Sequence, residues 1–142
     1  MVEKKADLLF VYGTLLAGLR NHHHLHNAQL LGPASIQGAL FDLGNYPGLI
    51  LAGPLAKPIE TVCGELYKIE ASNWPQLDDL ESFDPQALDQ SRYLRQFVDV
   101  TWSQGSENVI VQVQTYIYNM SLEGRPRIEN GDYRRHVLNP SV

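Results

Sequence analysis

The chain has 142 residues, 44% of them hydrophobic and 19% charged, enough to bury a core without staples and unlike a disordered chain. A formal net charge of −5 argues against nucleic acid or an anionic membrane as the main partner, and the short basic cluster Arg134, Arg135, His136 does not reverse that. The single cysteine, Cys63, excludes an intramolecular disulfide and fits a reducing compartment. The N-terminal apolar run is short and soon interrupted by Gly13, without the h-region or cleavage site of a signal peptide, and no segment approaches membrane-spanning length. One cytoplasmic domain over residues 1–142 is the expectation.

Leu8 to Tyr12 is a compact apolar run of the kind that marks a buried strand, and Gly13 ends it. Asn21 is placed to cap a short helix carrying four of the histidines, His22, His23, His24 and His26. Ile36 to Leu43 and Thr61 to Ile69 read as strands, separated by a Gly- and Pro-rich loop, GNYPGLILAGPLAKP. In it Tyr46-Pro47-Gly48 is a turn signal, while Leu49 to Leu51 is too apolar for a simply solvated loop. Ser72 to Phe83 has helical character, with Pro75 tolerated in a first turn. Leu94 to Trp102 and Val109 to Ile117 alternate as strands, and SQGSEN between them predicts a hairpin. Strands dominate and neighbours are often antiparallel, which gives an α+β chain with a closed or nearly closed sheet.

One carboxylate breaks this pattern. In SNWPQLDDLESF the apolar face is Trp74, Leu77 and Leu80, and at about 100° per residue Glu81 falls within roughly 20° of Trp74. Asp78 and Asp79 point away, toward solvent. A carboxylate inside an apolar stripe is either an ion-pair member, here with Arg92 or Arg95, or a general acid/base whose pKa is lifted by desolvation. A second feature is FVYGTLLAG, where a buried strand runs into a glycine turn. Backbone N–H groups released there can hold a carboxylate or an oxyanion, although a plain tight turn has the same pattern.

In order and spacing, VYGTLLAGLRNHHHL (11–25), YPGLILAG (46–53), GELYKI (64–69), LDDLESF (77–83), SRYLRQ (91–96), YIYN (116–119) and NGDYR (130–134) resemble the γ-glutamylcyclotransferase-like enzymes. The likeness is greatest to their γ-glutamylamine cyclotransferase branch. The resemblance implies an α+β fold, a small mixed β-barrel with short flanking helices and a pocket at its mouth. It implies that Tyr12, Gly13, Thr14 and Leu15 bind the glutamyl or 5-oxoproline moiety, largely through backbone groups, and that Glu81 is the catalytic acid/base. Dipeptide-cleaving members often have Asn where this loop has Leu15. Tyr46, Tyr93 and Tyr116 are candidate pocket residues, though aromatic side chains in strands are more often core.

The expected chemistry is attack of a substrate's own α-amine on its γ-carbonyl, yielding 5-oxoproline and a free amine, with no metal, thiol or cofactor. The remaining alternatives are a γ-glutamyl dipeptide cyclotransferase and a non-catalytic metabolite-binding protein with the same pocket. A small-molecule substrate and a monomer or weak homo-oligomer complete the expectation. His22 and His26 have the i, i+4 spacing of zinc-binding helices, but HExxH lacks its glutamate here. Only Asn21 and His22 fit the resemblance; His23, His24 and His26 read as a polar face. Cys63 reads as packing in a strand.

Overall fold

The computed structural model describes residues 4–138. Its strands are β1 (Lys4–Val11), β2 (Gln29–Asp42), β3 (Pro47–Leu51), β4 (Glu60–Lys68), β5 (Tyr93–Gln104) and β6 (Glu107–Tyr118). The helices are α1 (Trp74–Leu80) and α2 (Tyr133–Leu138), with short 3-10 turns between elements. The strand order is β3-β2-β4-β1-β6-β5, and β2 also pairs with β5, so five strands close into a mixed barrel and β3 lies outside the ring. Closure rests on two antiparallel pairs, Ala34↔Trp102 and Ser35↔Thr101. The α+β barrel with short helices is the architecture expected.

β1 lies between antiparallel β4 and parallel β6, and Leu8 to Val11 are all buried. A strand covered on both faces has no polar side to alternate with, which is why it reads as one continuous apolar run. Leu9, Phe10, Leu40, Leu49, Val62, Leu66, Val100 and Val113 form the centre of the core. At about 25 cal/mol per Å² of apolar area, burial of such side chains supplies the main driving force for closing the ring. The predicted hairpin is present: Gln104 pairs with Glu107, and Gly105 takes the left-handed φ of 64° that the two-residue turn requires.

Four expectations are corrected. The stretch after residue 43 contains β3, paired to β2 from Gly38↔Leu51 to Asp42↔Pro47. The turn sits earlier than Tyr46-Pro47-Gly48: the Leu43 N–H donates to the Tyr46 carbonyl (2.9 Å) and the Gly44 N–H to Asp42 Oδ1 (2.8 Å). Gly48 is a strand residue whose missing side chain leaves room for Tyr118, since a Cβ there would come within 2.9 Å of that ring. The helix expected over Ser72 to Phe83 is a 3-10 turn followed by α1, which stops at Leu80. Asn21 stands before a 3-10 turn, His22–Leu25, but its side chain does not cap it.

The basic cluster near the end is dispersed by pairing. Arg134 meets Glu65 at 2.8 Å and His136 meets Asp42 at 2.9 Å. Among the described residues no helix is long and apolar enough to cross a membrane.

Candidate active site

The C-terminal end of β1 opens into a small cleft, partly open to solvent. Its lining includes Tyr12, Gly13, Thr14 and Leu15 from the loop, Tyr46 from the β2–β3 connection, Pro47 at the start of β3, and Glu81, Tyr93, Thr115 and Tyr116. The loop is shaped by its own bonds. The Leu16 N–H donates to the Gly13 carbonyl (3.0 Å), and the Asn21 N–H donates to the Thr14 carbonyl (3.0 Å). The Asn21 amide donates to Thr14 Oγ1 (2.9 Å), which is why it does not cap the histidine turn. His22 Nδ1 donates to the Leu15 carbonyl at 2.9 Å. At the loop's far end the Ala17 N–H donates to Glu65 Oε1 (3.0 Å), and Arg134 Nε donates to the Ala17 carbonyl (3.0 Å).

With its carbonyls engaged in this way, the loop leaves three consecutive donors unused. The N–H groups of Gly13, Thr14 and Leu15 have no partner among the described residues. Successive free N–H groups in a turn form a concave positive surface suited to a carboxylate or an oxyanion.

Glu81 sits at the C-cap of α1, with backbone φ −88° and ψ 3°. The helix stops there in a Schellman turn: the Ser82 N–H donates to the Asp79 carbonyl (3.1 Å) and the Phe83 N–H to the Asp78 carbonyl (2.8 Å). Ser82 occupies the left-handed position, φ 54°, where glycine is the usual residue. The chain then turns so that the Ser82 carbonyl accepts from the Arg92 N–H (3.0 Å). Ser82→Gly is therefore expected to stabilise the fold by about 1 kcal/mol, relieving the left-handed cost while removing no side-chain bond. A melting temperature unchanged or lowered in that variant contradicts this account of the turn.

Neither ion pair available to Glu81 on sequence grounds is formed. Arg95 pairs with Asp78 at 3.2 Å, its guanidinium 4.5 Å from the Trp74 ring centre and 5.7 Å from that of Phe83. Asp78, expected in solvent, is half-buried and accepts from the Tyr116 hydroxyl at 2.7 Å. Arg92 lies over Tyr46. The Glu81 carboxyl thus enters the cleft without an ion pair or hydrogen bond among the described residues. Burial pushes its pKa up to about 7, against a smaller downward pull from the Arg92 charge. Such a group exchanges a proton near neutral pH.

The tyrosines are anchored. Tyr12 donates to the Tyr116 carbonyl (2.6 Å) and Tyr93 to the Pro47 carbonyl (2.6 Å). Burial first, and then neighbouring charge from Glu81 among others, holds the phenols of Tyr12, Tyr93 and Tyr116 well above their ordinary range. They are neutral walls of the site. Thr115 was not legible as a site residue. It is fully buried in β6, and its hydroxyl donates to the Phe10 carbonyl at 2.8 Å, tying the strands at the cleft floor. The part-buried Asp78–Tyr116 contact had no sequence signal either, because the two are 38 residues apart.

The histidines His23, His24 and His26 lie outside this cleft, around a surface depression with Gln76, Asp79 and Leu80. The His23 and His24 rings are 4.2 Å apart, and His26 Nδ1 donates to the His23 carbonyl. Among the described residues no group of three or more His, Cys, Asp or Glu side chains is arranged to hold a metal ion. Replacing His23, His24 and His26 together with Gln is expected to leave folding and turnover within about twofold, because glutamine keeps polarity and helix compatibility. Activity lost in that variant, or lost to EDTA and restored by zinc, would put a metal at the centre of the chemistry.

Residues 9–135 match the family model described as gamma-glutamyl cyclotransferase, AIG2-like. The chain is 32% identical over 126 residues to the gamma-glutamylcyclotransferase family protein YtfP of Escherichia coli (strain K12), covering 88% of this chain and 94% of that protein. It is 44% identical over 77 residues to gamma-L-glutamyl-butirosin B gamma-glutamyl cyclotransferase of Niallia circulans, covering 53% of this chain and 46% of that one, so it spans less than half of that relative's length. In fold it is similar to the crystal structure of an AIG2-like protein from mus musculus, with a TM-score of 0.69 at 24% identity over 89% of this chain and 88% of the other. The barrel, the loop after β1 and the matched span agree, and this chain belongs to the gamma-glutamyl cyclotransferase, AIG2-like family of enzymes.

Proposed function

We propose that the chain converts a γ-glutamyl amine or amide into 5-oxoproline and a free amine. The observation that carries this reading is the pairing, in one cleft, of an unpartnered carboxyl titrating near neutrality with three consecutive free N–H groups. The substrate's α-amine attacks its own γ-carbonyl; the new C–N bond closes a five-membered lactam, and the old amide C–N bond breaks. Glu81 takes the proton released by the attacking nitrogen and returns it to the departing amine, so protons balance without a cofactor. The Gly13, Thr14 and Leu15 N–H groups hold the substrate carboxylate or the developing oxyanion. Tyr12, Tyr46, Tyr93 and Tyr116 wall the site. Because nucleophile and electrophile belong to one molecule, holding a near-attack conformation supplies much of the acceleration.

The test is incubation with a panel of γ-glutamyl compounds, γ-glutamyl amines and γ-glutamyl dipeptides included, with 5-oxoproline assayed directly. Release from at least one compound, dependent on Glu81, supports the assignment. Tight binding of 5-oxoproline without turnover of any compound would leave a metabolite-binding protein that keeps the family's pocket.

A further inference from the structure

Arg92 is the charged group beside the cleft that neither the fold nor the proposed chemistry uses. Its backbone is fixed on both sides: its N–H donates to the Ser82 carbonyl (3.0 Å), and its carbonyl accepts from the Asn119 N–H (2.9 Å). The side chain is exposed, with its guanidinium 5.3 Å from the centre of the Tyr46 ring, a ring that lines the cleft. Five other arginines are committed. Arg95 pairs with Asp78, Arg127 with Glu60 and Arg134 with Glu65, while Arg20 and Arg125 donate to the Asn45 and Leu43 carbonyls. The Arg92 guanidinium has no ion pair or hydrogen bond among the described residues. A guanidinium held over an aromatic ring without a hydrogen bond has its N–H groups available, and their fork geometry matches a carboxylate.

Resting on the cyclotransferase reading of this cleft, we propose that Arg92, seated on Tyr46, selects leaving amines that carry an anionic group over those that carry a second positive charge. On that reading the glutamyl part is held at the loop donors, and Arg92, exposed over the cleft-lining ring of Tyr46, stands where the cleft meets solvent. The same charge is felt at Glu81, where it draws the carboxyl's pKa down against burial. A charge sensed by the proton-transferring group is also sensed by a substituent on the amide which that group serves. A carboxylate two or three bonds from the departing nitrogen gains from it, and an ammonium at that distance is repelled. Size and shape of the leaving group remain a separate matter, governed by the cleft walls.

The experiment compares three substrates of similar size and different charge: γ-glutamylglycine, γ-glutamylglycinamide and the mono-γ-glutamyl amide of ethylenediamine. For each, kcat/KM for 5-oxoproline release is measured in the unaltered chain and in Arg92→Gln, Arg92→Lys and Arg92→Glu. Expected is a preference for the glycine compound over the ethylenediamine compound that falls about tenfold in Arg92→Gln, is largely kept in Arg92→Lys and inverts in Arg92→Glu. Any general effect of Arg92 on Glu81 or on folding moves all three substrates together and cancels in that ratio. The dissociation constants of the three compounds are measured in parallel in a Glu81→Gln background, where turnover is blocked. Charge-dependent binding that follows Arg92, without 5-oxoproline release from any compound, would overturn the cyclotransferase reading and uphold the selection by charge. A ratio that is the same in all four proteins, in turnover and in binding, overturns the proposal.

Discussion

Replacing Glu81 with glutamine is expected to lower kcat for 5-oxoproline release by at least about a hundredfold, while binding of 5-oxoproline stays within a few-fold. The amide is nearly isosteric with the carboxyl but cannot accept and return a proton. The same residue should set the acid limb of the pH profile: activity rises with pH through the region near 7 as Glu81 ionises and becomes competent as a base. The effect on stability has the opposite sign. A carboxyl whose pKa is raised in the folded state binds its proton more tightly there than in the unfolded chain, so folding loses stability as pH rises from about 4.5 to about 7. Glu81→Gln should therefore melt higher than the unaltered chain at pH 8, and the two should converge at pH 4. Comparable kcat in both proteins, or a pH profile without a limb near neutrality, would remove Glu81 from the chemistry.

The second large effect is expected at Gly13. Its φ lies outside the left-handed region, so backbone freedom is not what makes glycine necessary there. The constraint is Pro47: a Cβ on Gly13 would lie 2.6 Å from Pro47 Cγ and 2.9 Å from Cδ, atoms of a rigid ring. Pro47 cannot yield freely, because its carbonyl anchors the Tyr93 hydroxyl and its position is paired with Asp42. Gly13→Val should cost about 1–3 kcal/mol of stability from overpacking, and it should weaken 5-oxoproline binding by at least about tenfold as the loop donors are displaced. Thr14→Ala loses only the bond from Asn21 and should be milder on both counts. Calorimetric titration of both variants distinguishes these outcomes. Binding unchanged in Gly13→Val means that the ligand lies elsewhere.

What could be read before any coordinates followed from local physics. The run at Leu8 to Val11 was readable because a strand buried on both faces is apolar throughout, and the β5–β6 hairpin because its alternation and turn residues agree. Glu81 stood out because a charge within an apolar stripe is costly, wherever the helix ends. What stayed hidden was non-local or used an uncommon residue. No glycine announces the end of α1, since Ser82 takes the left-handed position itself. β3 was obscured by Pro47 and Gly48, residues that usually punctuate strands but here admit close neighbours. The partner of Arg95 depended on how a helix packs against a barrel wall, and nothing in residues 77 to 83 distinguished Asp78 from Asp79 as the paired acid.

The place of β1 in the ring has a consequence for how the protein comes into being. β1 is flanked by a strand on each side, and the loop that follows it carries the free N–H groups. Its neighbours arrive late: Leu9 pairs with Tyr67 and then with Gln114, about 60 and about 100 residues further along the chain. Until both have emerged from the ribosome, β1 presents one or two unpaired apolar edges, and the segment from Tyr12 to Leu15 has nothing to be shaped against. Until β6 is available, the chain therefore exposes an aggregation-prone edge at β1. The cleft is incomplete until then, because Thr115 and Tyr116 in its lining come from β6.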